Sequence, residues 1–258
     1  MGLFDKIFEK KVCDICGGEI GLLGNRKLED GNMCKNCAAK LSPWFSDRRS
    51  STVEEIKAQL EYREANKLEV EKFNVTRTMG ENTKIHLDED ALKFIVTSSR
   101  NFKETNPDVI DFTQVTGCEL DVNEREREEK RKDADGKMVS YNPPRYEFEY
   151  DFYFEIFVNH PYFDNIRFQL NSSSIKTTPD VAVPRNRKPN PKLNAEYREY
   201  EIMGQELKAI LTQARQQGRD EAAAAAAPKE KLTCPWCGAT TIPDANGCCE
   251  YCGGSFNG

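Results

Sequence analysis

The cysteines of this sequence are placed to hold metal ions, because eight of the ten fall in four C-x-x-C pairs near the two ends of the 258-residue chain. Two intervening residues form a turn that brings both sulfurs to one ion, and two such turns complete a tetrahedron. Glycine follows the second cysteine of three pairs, where a residue without a Cβ lets the backbone turn sharply. The spacing predicts two sites, with the ligands Cys13, Cys16, Cys34 and Cys37 in the first and Cys234, Cys237, Cys249 and Cys252 in the second.

A site of four cysteines has no open coordination position, so it stabilises a fold and activates no water. We expect Zn²⁺ at both sites. Rubredoxin-type iron and redox-active dithiols are the alternatives, since four soft sulfur ligands suit both metals. The sequence shows no secretory signal, so we expect a reducing cytoplasmic location, in which cysteines bind metal and do not form disulfides.

Two cysteines stand outside the paired pattern. Cys248 adjoins Cys249, but only Cys249 has the two-residue spacing to Cys252, so Cys248 is predicted to be a spare thiol. Cys118 lies alone in an apolar stretch and is predicted to be a small buried core residue.

The composition describes a soluble and acidic chain, with 38% hydrophobic residues, 31% charged residues and a formal net charge of -6. Two zinc ions bound by four thiolates each would make the charge about -10. Non-specific nucleic-acid binding depends on neutralising phosphates, so this balance disfavours a nucleic-acid partner. No apolar run approaches the roughly 18 residues of a membrane span.

The first cysteine cluster is predicted to lie in a small module of turns and one helix. Asp30-Gly31 indicates a hairpin turn, and a short helix is expected from Cys37 until Pro43 stops it. This order is treble-clef-like. The residues Cys13-Asp-Ile-Cys-Gly, Leu22-Leu-Gly, Asp30-Gly-Asn-Met-Cys and Lys35-Asn-Cys-Ala resemble the N-terminal four-cysteine domain of unknown function of bacterial proteins, over roughly residues 10–45.

A connecting helix is predicted after this module. Thr52 and Glu55 form a capping-box signature, in which each side chain accepts from the other residue's backbone amide. Val53, Ile56 and Leu60 mark the buried face of a helix that reaches about Lys67, and its charged face is expected to be solvated.

Residues 68–170 alternate with a period of two, which predicts short antiparallel strands. Strands are expected around residues 73–75, 85–87, 92–96, 110–112, 118–122 and 166–170. The clearest strand covers 146–158, with aromatic and aliphatic residues on the core face and acidic residues on a solvated face. An amphipathic helix of about 24 residues follows from Leu193.

A dense run of mixed charges, 124–132, separates two of these strands and is followed by Asp135-Gly136. We expect a solvated loop, with a projecting hairpin that docks a protein as the alternative.

Several antiparallel strands closed by one helix, with the stretch Val109-Ile-Asp-Phe-Thr-Gln-Val-Thr-Gly-Cys-Glu-Leu120, resemble a pleckstrin-homology-like module. The resemblance implies a binding platform, although the basic phosphoinositide pocket of the lipid-binding members has no counterpart. The terminal Cys234-Pro-Trp-Cys-Gly and Cys249-Glu-Tyr-Cys-Gly resemble rubredoxin-like zinc knuckles of a zinc ribbon.

We therefore predict an α+β, multidomain chain with a treble-clef-like zinc module, a mainly antiparallel, pleckstrin-homology-like β domain with a C-terminal helix, and a terminal zinc ribbon. The predicted boundaries are 1–46 for the N-terminal helix and cysteine module, 47–67 for the connecting helix, 68–217 for the β domain, 218–231 for an Ala-rich spacer and 232–258 for the ribbon.

No catalytic pattern accompanies these elements, because His86 and His160 lack the partners of a triad and no phosphate loop or dinucleotide fingerprint occurs. We expect a non-enzymatic, zinc-binding adaptor with a protein partner, contacted in part through Trp236 and Tyr251. One alternative is a peripheral membrane protein that uses an amphipathic helix over residues 2–11 and the basic segment 185–192. A nucleic-acid or ribosome-associated regulator is the other.

Overall fold

The computed structural model describes residues 11–177, 188–226, 231–244 and 247–256. The chain divides into two units, Met1–Gln216 and Gln217–Gly258. Residues 2–10 of the expected amphipathic helix, residues 185–187 of the basic segment and residues 227–230 of the Ala-rich spacer lie outside the described residues.

The cysteine module consists of two small hairpins and one turn of helix. Its elements are β1 (Lys11–Val12), β2 (Glu19–Ile20), β3 (Asn25–Lys27), β4 (Asn32–Cys34) and α1 (Lys35–Ala38). β1 pairs with β2 and β3 with β4, both antiparallel, and the second hairpin turns at the predicted Asp30-Gly31. The module has its own apolar cluster, to which Ile56 of the following helix contributes.

That helix, α2 (Val53–Lys72), begins at the predicted capping box. Glu55 N donates to Thr52 Oγ1 at 3.3 Å, and Thr52 N donates to Glu55 Oε2 at 2.7 Å. Asp30 Oδ1 of the cysteine module accepts from the next amide, Val53 N, at 2.8 Å, so this helix start is fixed from two sides. α2 is longer than predicted.

The prediction that the polar face of α2 is solvated is partly wrong. Gln59, Arg63 and Asn66 are buried on α2, beside the apolar Ile56 and Val70. Arg63 and Asn66 form hydrogen bonds with residues distant in sequence, whereas the side-chain amide of Gln59 has no hydrogen-bond partner among the described residues. Apolar periodicity carries no signal of such partners, so it does not predict the burial of these polar side chains.

Two antiparallel sheets form the centre of the first unit. The first has the strand order β5-β6-β7-β8 and contains β5 (Arg77–Met79), β6 (Lys84–Asp88), β7 (Lys93–Thr97) and β8 (Ile110–Asp111), with the short helix α3 (Phe102–Thr105) between the last two. The strand expected at 73–75 is wrong, because Phe73 is the residue at which α2 ends.

The second sheet is organised by one long strand. Its members are β9 (Val115–Lys132), β10 (Met138–His160), β11 (Phe163–Gln169) and β12 (Ile175–Thr177). β10 pairs with all three others, and every pairing is antiparallel. The predicted alternation over 146–158 is confirmed, since the core-facing side chains from Phe148 to Val158 are buried. The acidic face is less solvated than expected, because Arg125 donates to the buried Asp151 at 2.6 Å.

The run of mixed charges forms a hairpin, so the loop interpretation is wrong. β9 and β10 stay paired from Val115 as far as Lys132 and Met138, and the turn between them contains Gly136 at a φ of 80°. Cross-strand pairs of opposite charge, such as Arg127 opposite Glu147, allow the charged sequence to form strands. We call residues 123–132 and 138–147 the charged arm.

Helix α4 (Ala195–Ala226) covers the second sheet with one face. Tyr197, Tyr200, Leu207 and Leu211 are buried in the shared core, as predicted, whereas Leu193 precedes the helix and is exposed. Gly204 lets the helix approach closely, because a Cβ there would lie 2.5 Å from Leu120 Cδ1. None of the described helices combines the length and the apolar character needed to cross a bilayer.

A buried carboxylate joins the cysteine module, α2 and the first sheet. Asp108 accepts from Arg63 Nη1 at 2.8 Å, from Ser42 Oγ at 2.8 Å and from Tyr62 Oη at 3.3 Å. Burial and the neighbouring Asp108 carboxylate raise the pKa of Tyr62, so the phenol remains a neutral donor. Arg63 also donates to the backbone oxygens of Lys40 and Asn106. We call Asp108 with its three side-chain donors the Asp108 cluster.

Removal of this carboxylate should strongly destabilise the first unit. Asp108→Ala leaves the buried Arg63 charge without its counter-ion, so the free energy of unfolding should fall by about 3–5 kcal/mol in denaturant titrations. The exposed ion pair of Glu64 and Lys67 provides the control. Glu64→Ala should lower the free energy of unfolding by less than about 1 kcal/mol. Equal effects of the two substitutions would contradict the assigned role of Asp108.

Candidate metal centres

The first four predicted ligands converge in the structure. The Sγ atoms of Cys13, Cys16, Cys34 and Cys37 all lie within 4.8 Å of one another, and that of Cys16 is 3.9 Å from that of Cys34. A tetrahedral ion with metal–sulfur bonds of about 2.3 Å separates its sulfurs by about 3.8 Å. The cluster therefore has the size of a tetrahedral thiolate site.

Two different local structures present these four thiols. Cys13 and Cys16 belong to a tight turn after β1, closed by hydrogen bonds from Cys13 N to Gly18 O and from Gly17 N to Cys13 O. Cys34 caps the N-terminus of α1, where its Sγ accepts from Cys37 N at 3.4 Å. The second pair thus begins a helix, whereas the first pair forms a turn.

The second group of predicted ligands also converges, in the terminal unit. Its hairpin of β13 (Leu232–Thr233) and β14 (Thr240–Thr241) places Cys234 and Cys237 on the connecting turn. Cys234 Sγ lies 3.6 Å from Cys252 Sγ, and Cys237 Sγ lies 3.7 Å from Cys249 Sγ. Among the described residues, the four-thiol group includes Cys249 and not Cys248.

Three of the four cysteine pairs share one backbone pattern. In each, the first cysteine exchanges two backbone hydrogen bonds with the residues four and five positions later. The predicted glycine after the second cysteine has a positive φ in all three pairs, 72° at Gly17, 74° at Gly238 and 72° at Gly253. L-residues with a Cβ are disfavoured in this region, which explains why glycine occupies these positions.

The thiols within one cluster differ in acidity. Burial opposes ionisation of Cys13, but backbone amides, including that of Cys34 at 3.2 Å, outweigh it and lower the Cys13 pKa to about 6. Burial and hydrogen bonds from neighbouring thiols raise the pKa of Cys37. In the terminal cluster the amides of Cys237 and Trp236 overcome the effect of burial and lower the pKa of Cys234 to about 7. Each cluster thus contains one thiol that ionises readily as the first anchor of a cation.

These donor sets fit the predicted ions. Four thiolates at tetrahedral spacing suit Zn²⁺ and rubredoxin-type iron alike, and neither four-thiol group contains a carboxylate or an imidazole. The metal would be held entirely by protein sulfur, with no position for a substrate or a reactive water.

The remaining candidate groups lie apart from both clusters. Cys118 is buried in the core as predicted, and burial raises its pKa to about 11. His86 Nδ1 and Thr78 Oγ1 form a hydrogen bond of 2.8 Å. His160 packs among the rings of Tyr62, Tyr162 and Phe163. Burial lowers the pKa of both imidazoles. The Asp108 cluster was not predicted, since its members are distant in sequence and only the fold brings them together.

The chain thus has two four-cysteine clusters, one in each unit. Comparison with known proteins finds a match for the region that contains the first cluster. Residues 11–59 match the family model of a domain of unknown function, DUF4428. The match extends past the last cysteine of the module into α2, the helix that contributes Ile56 to the module's core. No curated protein and no solved structure matches the chain.

Loss of one ligand should release one ion. Cys16→Ser and Cys237→Ser should each lower the metal content by about one ion per chain and unfold the affected module, because metal binding supplies most of the folding free energy of such small units. Elemental analysis of freshly purified protein measures the content and distinguishes zinc from iron.

The neighbouring thiol Cys248 offers a matched control within the terminal unit. Cys248→Ser should retain both ions, since this residue lies outside the four-thiol group. An unchanged metal content in the Cys16 or Cys237 variant, or a lost ion in the Cys248 variant, would contradict the ligand assignment.

Proposed function

We propose that this chain is a non-enzymatic adaptor that works in a reducing compartment and binds a protein partner, with two structural Zn²⁺ sites. The observation that carries the proposal is the tetrahedral spacing of both thiol clusters, 3.6 to 3.9 Å between neighbouring sulfurs. Such sites are saturated by protein ligands and therefore contribute to folding rather than to catalysis.

The terminal unit supports a structural role for the ion. Among its described residues after the helix, 231–244 and 247–256, only Cys234, Thr241 and Cys249 are buried, so this part has hardly any apolar core. A segment of this size does not fold on so little buried surface without a metal or a cross-link. An ion held by four sulfurs supplies that missing free energy.

Two exposed aromatic residues of this unit form the surface that we propose for the partner. The side chains of Trp236 and Tyr251 are 71% and 73% exposed, and each lies between the two cysteines of a pair. Trp236 Nε1 donates to Ser255 O at 3.1 Å, and its ring lies against Gly254. An aromatic side chain held in position loses little conformational entropy on binding, and such residues dominate protein interfaces.

The central domain supports the same class of function. We assign this domain to a pleckstrin-homology-like module. A four-stranded antiparallel sheet, a second antiparallel sheet organised by β10 and a closing helix support the assignment. We also propose a treble-clef-like fold for the cysteine module at the N-terminus and a zinc-ribbon fold for the C-terminus. The cysteine module contains a helix capped by Cys34, and the terminal cluster contains two turns with a glycine at positive φ. These features favour the two fold assignments.

Truncation of the two aromatic side chains should weaken partner binding without metal loss. We expect proteins that co-purify with the tagged chain from its own cells to be depleted from a Trp236→Ala/Tyr251→Ala variant. With a purified partner the Kd should rise at least tenfold, because central aromatic contacts each contribute about 2 kcal/mol or more.

The control variant is Leu193→Ala/Ile202→Ala, which removes two exposed apolar side chains from the first unit. It should bind the same proteins as the unmodified chain. Both variants should keep their full metal content. Unchanged affinity of the Trp236→Ala/Tyr251→Ala variant would reject the aromatic surface as the binding site.

A further inference from the structure

The charged arm has an open strand edge. Within the part of the chain that the structure describes, β9 pairs with β10 alone, and β11 and β12 pair with the opposite edge of β10. Along residues 123–132 one row of backbone N–H and C=O groups therefore faces away from every described strand. A strand edge of this kind accepts another extended chain.

The arm also extends beyond the core, so its edge is accessible. Buried and exposed residues alternate along β9 only as far as Val122, and residues 123–127 and 130–132 are exposed. No ion pair among the described residues engages Glu126, Glu128, Lys130 or Lys132. Glu124 pairs with Lys188 at 2.6 Å and Arg125 pairs with Asp151. The charges of Glu126, Glu128, Lys130 and Lys132 are thus the ones available to a molecule that pairs with this edge.

The order of the charges is self-complementary. On one face of β9 the acidic Glu124, Glu126 and Glu128 precede the basic Lys130 and Lys132. An antiparallel second copy centred on Glu128 would place Glu124 opposite Lys132 and Glu126 opposite Lys130. On the other face the same register places Arg127 opposite Glu129. Opposite charges directly across from each other stabilise paired strands.

The centred register joins three pairs of opposite charge. A shift that moves the centre by one residue places Glu126 opposite Glu128 in one direction and Arg127 opposite Arg131 in the other, and within β9 each shifted register keeps two pairs of opposite charge. A centre at Lys130 avoids like-charge pairs except at the axis, but it also keeps only two pairs of opposite charge, Glu128 with Lys132 and Glu129 with Arg131. The centred register has one repulsive pair of its own, Arg125 opposite Arg131, besides Glu128 facing itself at the symmetry axis.

Existing contacts reduce this repulsion. Arg125 already donates to Asp151 at 2.6 Å, and the Arg131 guanidinium lies 5.8 Å from the centre of the Tyr141 ring. At the axis, the Lys130 side chains of both copies would flank the two Glu128 carboxylates diagonally. Among these registers, the one centred on Glu128 therefore aligns the most pairs of opposite charge.

We propose that the charged arm pairs with the arm of a second copy of this chain, β9 against β9 in antiparallel register about Glu128, to form a four-stranded sheet across a two-fold axis. Charged edge strands often prevent such pairing, because a uniform charge repels its own copy. Here the acidic half of one edge meets the basic half of the other. The interface is a symmetric one in which each copy contributes the same residues.

Sedimentation velocity of the full chain over a wide range of concentrations tests the proposal. The unmodified chain should form a dimer, and the dimer should dissociate as NaCl rises, because salt at about 1 M shortens the screening length to about 3 Å. A chain that stays monomeric at every concentration, or a dimer that is indifferent to salt, overturns the proposal.

Charge exchange tests the pairing of the two edges. Lys130→Glu/Lys132→Glu and Glu126→Lys/Glu128→Lys should each lose the dimer, because each makes one face of the edge largely of a single sign. An equimolar mixture of the two variants should recover a dimer, since acidic positions again meet basic ones. A mixture that stays monomeric, or single variants that dimerise like the unmodified chain, overturns the proposal.

A matched control separates the edge from the net charge. Lys40→Glu/Lys57→Glu changes the charge by the same amount as Lys130→Glu/Lys132→Glu at exposed positions outside the charged arm. This variant should dimerise like the unmodified chain. Loss of its dimer would assign the effect to overall charge and overturn the proposal.

Discussion

The first unit depends on the neutralisation of one buried carboxylate. Asp108 lies in the segment between two strands, and its oxygens receive hydrogen bonds from Arg63 of α2 and from Ser42 of the cysteine module. A buried charge is tolerated only when its counter-ion and donors are held in place, so the three segments must keep one arrangement. The Asp108 cluster thereby fixes the cysteine module against the β-sheet, and apolar packing of Ile56 with that module completes the attachment.

Much of this fold was readable from local patterns, and the departures have physical reasons. The alternation over 146–158 and the capping box at Thr52 were predicted because both depend on residues close in sequence. The charged hairpin was assigned to a loop, since cross-strand pairing of Arg127 with Glu147 is invisible before the register is known. The buried polar face of α2 was missed for the same reason, because Asp108, the side-chain partner of Arg63, lies 45 positions further along the chain.

The candidate metal centres show the opposite case, in which sequence spacing carries nearly all of the information. Two-residue separations and a following glycine determine a turn whose hydrogen bonds recur in three cysteine pairs. Spacing also assigns the two pairs at each end of the chain to one site, and in the structure the thiols of these pairs converge. The choice of Cys249 over Cys248 also agrees with the two-residue rule. The proposed partner surface has no comparable signature, because exposed side chains such as Trp236 follow no fixed spacing.

The close approach of α4 to the second sheet divides the long hairpin into two parts. Near Gly204 the helix lies against Leu120, and the side chains at the base of the hairpin belong to the shared core. Towards the turn at Asp133–Lys137, residues 123–127 and 130–132 are exposed. Substitutions in the outer part therefore meet fewer packing constraints than substitutions at the base, so the outer part can vary in sequence while the core keeps its shape.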